Sequence, residues 1–176
     1  MTSKKHIGQL ISVKFTDRQE TTNGLVIDYN HDWTLMKYNP VDYVVDGYII
    51  FRHKNIKGYR RDKEEKFKEK VLLLKGQQPK AKEKIPLTDL KTILTFLTKK
   101  FGAFQFQTDS EDTCYLGRLV SADNTELIID FLNTEGKWSR QRTFNPADIR
   151  TIEFNTDYIN SLLLVVRQVR NKKGSL

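Results

Sequence analysis

The alternation of apolar and polar positions in the first third of the chain predicts a series of short β-strands. Apolar segments rich in Val, Ile, Phe and Tyr are separated by clusters of Asn, Asp, Gly and Pro, which favour turns. The expected strands are residues 10–15, 24–29, 33–38, 48–51 and 57–60. Short strands at this spacing predict a small closed or nearly closed barrel rather than a parallel sheet with crossover helices.

A helical pattern follows the fifth strand. Phe67, Val71 and Leu74 recur at positions i, i+4 and i+7, which predicts an amphipathic helix over residues 62–75. The residues after it, 77–86, are rich in Lys and Gln and contain two prolines. This composition is typical of a linker, and its charge makes it a basic one.

The second half of the chain repeats the order of these elements. A helix is expected to begin at a Thr88 cap and to end at Gly102, and a last helix to run through about residue 169. The strands expected between them are residues 104–107, 113–120, 126–131, 138–144 and 150–154. The pairs that align at an offset of 93 residues include Gly24 with Gly117, Phe51 with Phe144 and Ile56 with Ile149.

The repeat predicts a mainly β chain with flanking helices, built as two tandem five-stranded small barrels. The first barrel and its C-terminal helix are expected in residues 1–76, and the basic linker in residues 77–86. Residues 87–176 are expected to hold a helix, the second barrel and a C-terminal helix.

Composition narrows the class of protein further. With 38% hydrophobic residues in 176, the chain can build a core, so global disorder is excluded. The single Cys114 excludes an internal disulfide framework, and its position in a strand predicts a small buried side chain. The polar start and the lack of an apolar run of membrane length predict a soluble, cytoplasmic protein with no membrane partner.

The formal net charge of +8 is concentrated in one stretch. Residues 52–84 hold thirteen Lys or Arg against five Asp or Glu, and the rest of the chain is balanced. A basic concentration of this kind favours an anionic partner, because binding releases counterions. The alternative is a solvated, Lys-rich helix face followed by a linker.

Two short runs at the end of the fourth strand resemble Sm-like small barrels. Phe51-Arg52-His53 is similar to the aromatic-basic-His run of the bacterial Sm-like RNA chaperone. The run from Arg52 to Ile56 is similar to the Arg-Gly-acid-Asn-aliphatic run of eukaryotic and archaeal Sm proteins. The chain also resembles uncharacterised bacterial barrels of the SH3-like type. The resemblance implies that RNA is contacted at the corner between the last two strands of the first barrel.

The charge and the aromatic content of the corner also favour nucleic-acid binding, independently of the resemblance. Its cations can meet phosphates, and its aromatic rings can stack on unpaired bases. The candidate nucleic-acid-binding residues are Arg52, His53, Lys54, Lys57, Tyr59, Arg60 and Arg61. The alternative is that the aromatic residues belong to the core and that the cations keep an edge strand soluble.

Catalytic chemistry is not indicated. The three histidines are scattered and there is one cysteine, so no metal site, catalytic residue or cofactor is expected. The favoured hypothesis is a non-enzymatic nucleic-acid-binding protein that prefers RNA, with single-stranded RNA as its partner. Two alternatives stay open: a protein-interaction or self-assembly module that forms homo-oligomers through barrel edges, and an effector-sensing regulatory barrel.

Overall fold

Strands dominate the structure, a computed structural model that describes residues 6–110 and 112–173. Within these ranges the chain forms ten β-strands and three α-helices, which confirms the prediction of a mainly β fold with flanking helices. The chain divides into two units, Met1–Leu87 and Thr88–Leu176, named unit 1 and unit 2 here. No helix in the described ranges is long and apolar enough to cross a membrane.

Unit 1 contains five antiparallel strands and one helix. Its elements are β1 Leu10–Phe15, β2 Thr21–Tyr29, β3 Trp33–Tyr38, β4 Tyr48–Arg52, β5 Ile56–Arg60 and α1 Lys63–Leu74. The strands lie in the order β5-β1-β2-β3-β4. Among the described residues of this unit, β5 pairs with β1 and does not pair with β4, so the expected barrel closure is not confirmed.

Unit 2 has the same strand order. Its elements are α2 Leu90–Phe101, β6 Phe104–Gln107, β7 Cys114–Ala122, β8 Leu127–Leu132, β9 Trp138–Phe144, β10 Thr151–Phe154 and α3 Asp157–Lys173. The strand order is β10-β6-β7-β8-β9, and again no pairing between the first and last strands of that order is found in the described part of the unit. Asp89 rather than Thr88 caps α2, because its carboxylate accepts a hydrogen bond from the Thr92 backbone.

The strands of the two units repeat each other at the level of individual residue pairs. Gly24 lies opposite Tyr38 in unit 1, and Gly117 lies opposite Phe131, each 93 positions later, in unit 2. In both units the register between the paired strands shifts at the second residue after the glycine, Val26 in unit 1 and Leu119 in unit 2. The internal repeat therefore extends to strand register and to the position of a β-bulge.

The paired glycines have a steric cause. A Cβ atom built on Gly24 would lie 2.4 Å from the carbonyl oxygen of Lys37 on the neighbouring strand. A Cβ atom on Gly117 would lie 2.4 Å from the carbonyl oxygen of Asp130. Both contacts are with backbone, which cannot rotate away, so only glycine permits this close approach of strands.

The core of unit 1 follows the alternation seen in the sequence. The buried cluster consists of Ile11, Val13, Phe15, Val26, Met36, Ile49 and Phe51. Tyr38, Ile56 and Tyr59 are partly buried against it. Burial of each large apolar side chain contributes roughly 1.5–3 kcal/mol, so this cluster dominates the stability of the sheet.

The face that α1 buries differs from the apolar stripe in its sequence. Phe67 and Leu74 are 57% and 79% exposed, whereas Glu65 and Leu72 are buried. Leu72 packs with Leu10 and the apolar cluster beside it, and Glu65 is held by hydrogen bonds described below. The inward face of α1 is therefore the one that carries Glu65, the partner of hydrogen-bonding groups on β1 and β5, and not the more apolar face that carries Phe67 and Leu74.

The segment predicted as a basic linker packs against unit 1. The side chains of Ile85 and Leu87 are buried. The Lys37 ammonium donates to the Gln77 side chain at 3.1 Å, and the Asn30 amide donates to the Leu87 carbonyl. Residues 77–87, named the strap here, thus connect the two units while being fixed to the first.

Candidate nucleic-acid interface

The corner between β4 and β5 is a tight turn that is hydrogen-bonded to the connection between β1 and β2. Asn55 adopts a left-handed conformation with φ of 57°, which Asn tolerates better than most residues. Its side-chain amide donates to Asp17 at 2.7 Å, and its carbonyl oxygen accepts from the Thr16 backbone at 2.8 Å. The corner is therefore held in one conformation by the β1–β2 connection.

His53 uses both ring nitrogens within the protein. Its Nδ1 lies 2.9 Å from the carbonyl oxygen of His31, and its Nε2 lies 2.7 Å from the Thr34 hydroxyl. A carbonyl only accepts, so Nδ1 carries the proton and Nε2 accepts from the hydroxyl. Burial lowers the pKa of His53, against smaller opposing effects of the His31 carbonyl and Asp32. His53 is therefore neutral, and its two hydrogen bonds connect the end of β4 to the β2–β3 turn and to the start of β3.

The cations at the start of the corner keep their charge at the surface. The Arg52 guanidinium lies 4.6 Å from the centroid of the buried Trp33 ring, a cation–π arrangement that fixes its direction. Lys54 is half-buried and Lys57 is exposed. All three side chains are cationic, and contact with a phosphate backbone by any of them stays a prediction.

The cations at the end of the corner are paired with acidic residues of α1. Arg60 contacts a carboxylate oxygen of Glu65 at 2.7 Å, and Arg61 contacts Glu69 at 2.9 Å. Glu69 also accepts from the Leu10 backbone at 2.6 Å. The structure thus gives Arg60 and Arg61 the role of fastening α1 to the sheet, and phosphate contact by either residue stays a prediction.

Glu65 is the centre of this fastening. Its carboxylate accepts from the Ser12 hydroxyl at 2.7 Å and from the Asp62 backbone at 3.0 Å, which completes a capping box. Burial alone raises the pKa of Glu65, but the hydrogen bonds from Asp62 and Ser12 outweigh it and hold the pKa at about 2. The group is therefore a carboxylate throughout the physiological range.

Tyr59 faces the core more than the solvent. It is partly buried against the apolar cluster of unit 1, and its ring centroid lies 5.7 Å from that of His6. Stacking of an unpaired base on this ring stays a prediction.

A group of lysines outside the predicted corner forms a second basic surface. Lys80 and Lys82 of the strap line a cavity of about 310 Å³ together with residues of β2 and β3, including Asp28 and Leu35. Burial lowers the pKa of Lys37, and the positive charges of Lys80 and Lys82 lower it further. These three residues, named the lysine groove here, are a concentration of like charge on unit 1.

Only part of the lysine groove could be predicted from the sequence. The Lys-rich composition of residues 80–84 is visible in the sequence, but Lys37 lies more than forty positions earlier. Their proximity depends on the strap folding back over β2 and β3, which no local pattern reports.

Two other candidate chemistries have structural explanations. The carboxylates of Asp62, Glu64 and Glu65 lie within 4.8 Å of one another, a spacing compatible with a metal ion. The Arg60 guanidinium already supplies a cation there, at 2.7 Å from Glu65 and 3.6 Å from Glu64. Cys114 is exposed, contrary to the expectation of a buried side chain, because it lies at the first position of β7.

Comparison of the chain with protein-family models, with curated proteins and with solved structures finds no match.

Proposed function

We propose that the chain is a non-enzymatic nucleic-acid-binding protein that prefers single-stranded RNA. The contact surface is the basic face of unit 1, formed by the lysine groove and the corner cations Arg52, Lys54 and Lys57. The observation that carries the proposal is that the strap places Lys80 and Lys82 on a cavity beside β2 and β3. Repulsion from their charges adds to the burial that lowers the pKa of Lys37. A bound phosphate backbone relieves such repulsion and releases counterions.

Arg52 of the corner and Lys37 of the lysine groove lie on one side of the sheet, because Arg52 pairs with Trp33. Trp33, Leu35 and Lys37 alternate with residues that point the other way, so they share a face of β3. Arg52 stacks on Trp33 at one end of this row, and Lys37 lies at the other, about 13 Å along the strand at 3.3 Å per residue. Trp33 and Leu35 are 2% and 1% exposed, so a nucleic-acid strand would contact the charged ends of this row and not the side chains between them.

The proposal includes the finer fold assignment. We infer that each unit is an Sm-like small barrel whose closure is incomplete. The support is five short strands per unit, a brief turn between the last two strands, and a repeated register. A fixed barrel face presenting cations in a row favours binding to the phosphate backbone over reading of base edges.

The test is fluorescence anisotropy with labelled single-stranded RNA and DNA pools over a salt series. The groove variant is Lys80→Gln/Lys82→Gln, and the corner variant is Arg52→Ala/Lys54→Ala/Lys57→Ala. Each is expected to weaken RNA binding about tenfold at low salt. Loss of two phosphate contacts in the groove variant is expected to reduce the slope of log affinity against log salt by about 1.4.

The matched control is Lys63→Gln/Lys66→Gln, which removes the same charge from exposed positions of α1 in the same unit. It is expected to leave the salt slope unchanged. Equal losses in the control and groove variants would mean that only net charge matters, and the assigned surface would be wrong. Equal affinity for RNA and DNA would remove the RNA preference.

A second candidate function has an observation of its own. Unit 1 exposes an apolar patch in which the rings of Tyr43 and Phe67 meet edge to face, with centroids 6.2 Å apart, and Val41, Val44 and Leu74 are exposed as well. Exposed patches of this kind mark interaction surfaces. Flat anisotropy curves with both pools, together with self-association insensitive to salt, would favour an assembly module instead.

A further inference from the structure

Unit 2 contains a pocket that has no part in the proposed nucleic-acid surface. It has a volume of about 770 Å³, within the range of small-molecule sites. It lies among the end of α2 at Gly102, the turn at residues 133–137 between β8 and β9, and the outer half of α3.

The walls of the pocket combine an apolar surface with positive charge. Its apolar part includes Trp138, Leu163, Val166 and Val169. Among the described residues that line it, Arg118, Lys137 and Arg167 are cationic and none is acidic. The chemistry of the lining thus matches a ligand with an apolar body and an anionic end.

The cations differ in how firmly they are held. The Arg118 guanidinium lies 4.0 Å from the centroid of the Trp138 ring and donates two hydrogen bonds to one carboxylate oxygen of Asp130. A guanidinium has five N–H donors, so this pairing leaves others for a ligand. Lys137 pairs with Glu135 at 2.7 Å, and both of these side chains are largely exposed. Arg167 is exposed on α3.

The turn at residues 133–137 forms part of the pocket wall. Gly136 has φ of 70°, and a Cβ atom there would lie 2.9 Å from the Cβ of Val165, so the turn touches α3 at this point. In unit 1 the corresponding connection is longer, residues 39–47, and its Val45 packs beside Leu72 of α1. The connection that lines the pocket in unit 2 is thus shorter than its counterpart in unit 1.

We propose that this pocket binds a small amphiphile that carries one oxyanion, carboxylate or phosphate, on an apolar body. The apolar body lies against Trp138 and the outer face of α3, and the oxyanion meets Arg118 and Arg167. Arginine suits either head group because its donors match the geometry of both oxyanions. The inference does not depend on nucleic-acid binding, since the pocket and the basic surface belong to different units.

The test uses isothermal titration calorimetry of the full chain with decanoate and decyl phosphate, each below its micelle concentration, and with decanol below its solubility limit. At least one of the anions is expected to bind with one-to-one stoichiometry, and decanol at least tenfold more weakly. The anion that binds more tightly identifies the head group. Trp138 fluorescence provides a second readout, because Trp33 is 2% exposed and responds little to added ligand.

Two variants and a control locate the site. Arg167→Gln is expected to weaken binding of the anion about tenfold, since it removes a charged donor. Val169→Phe, at an exposed position on α3, is expected to occupy part of the pocket and to weaken binding as well. Arg140→Gln, at an exposed position of β9 outside the pocket, is expected to bind like the unmodified chain.

Three results would overturn the proposal. The first is that neither anion binds, and the second is that decanol binds as tightly as the anions. The third is that Arg167→Gln and Val169→Phe both bind like the unmodified chain. Circular dichroism of each variant distinguishes a loss of binding from a loss of folding.

Discussion

Replacement of Glu65 by glutamine is expected to lower the free energy of unfolding by about 2–3 kcal/mol at pH 7. The amide keeps the size of the side chain but removes the negative charge that faces Arg60 at 2.7 Å. It also weakens the hydrogen bonds that the carboxylate accepts from Ser12 and from the Asp62 backbone. Hydrogen bonds to a buried charged group contribute about 1.5–3 kcal/mol, more than those between neutral groups.

Glu64→Gln is the matched control. Glu64 is the adjacent residue and contacts Arg60 and Lys68, but its side chain is 55% exposed. Exposed ion pairs contribute between about 0 and 1 kcal/mol, so this variant is expected to be near neutral. Urea denaturation followed by circular dichroism measures both. Equal destabilisation by the two variants would contradict the role assigned to Glu65.

The same residue predicts a pH dependence. The pKa of Glu65 is about 2 in the folded chain against an ordinary value of 4.5, so the unfolded chain binds more protons between those values. The contribution of Glu65 is therefore fully present above about pH 4.5 and is lost as the pH falls toward 2. The difference in stability between the unmodified chain and Glu65→Gln is expected to shrink over this window.

Gly24→Ala is expected to destabilise unit 1 by several kcal/mol or to prevent it from folding. The added methyl group would lie 2.4 Å from the Lys37 carbonyl oxygen and 2.8 Å from the Met36 Cβ. Relief of the clash requires β2 and β3 to separate. That movement would break ladder hydrogen bonds and disturb a close-packed core.

Gly58→Ala supplies the comparison for this variant. Gly58 lies in β5 of the same sheet, and a Cβ atom there would meet nothing within 4 Å. Alanine also reduces the conformational entropy of the unfolded chain, so this variant is expected to be neutral or more stable by about 0.4–1 kcal/mol. Thermal denaturation of both variants tests the pair. A Gly24→Ala variant as stable as Gly58→Ala would refute the steric explanation of the repeated glycine.

The strands were predictable because alternation is a local property. Segments such as residues 10–15 and 33–38 are rich in apolar residues, which the structure buries on both faces of the strand, and have turn-forming residues at their ends. Strand pairing is not local, and whether β5 reaches β4 depends on the twist of the whole sheet. The sequence pattern therefore predicted the elements, while barrel closure was not confirmed.

The candidate surface was predictable only in part, and for a related reason. The concentration of Lys and Arg in residues 52–84 is plain in the sequence, but charge partners are set by the tertiary structure. Glu65 and Glu69 have the appearance of solvated helix residues, yet they pair with Arg60 and Arg61. Phe67 and Leu74 have the appearance of a core stripe, yet they are exposed.

The attachment of α1 through carboxylates has a consequence for the order in which the chain loosens. α3 packs on unit 2 through Ile159 and Leu163, an apolar contact that salt does not screen. Part of the contact of α1 with unit 1 consists of ion pairs at Arg60 and Arg61, and salt screens the pair of the half-exposed Arg60 more than the largely buried pair of Arg61 with Glu69. Rising ionic strength is therefore expected to weaken the attachment of α1 more than that of α3 and to speed exchange of the amide hydrogens of α1 relative to those of α3.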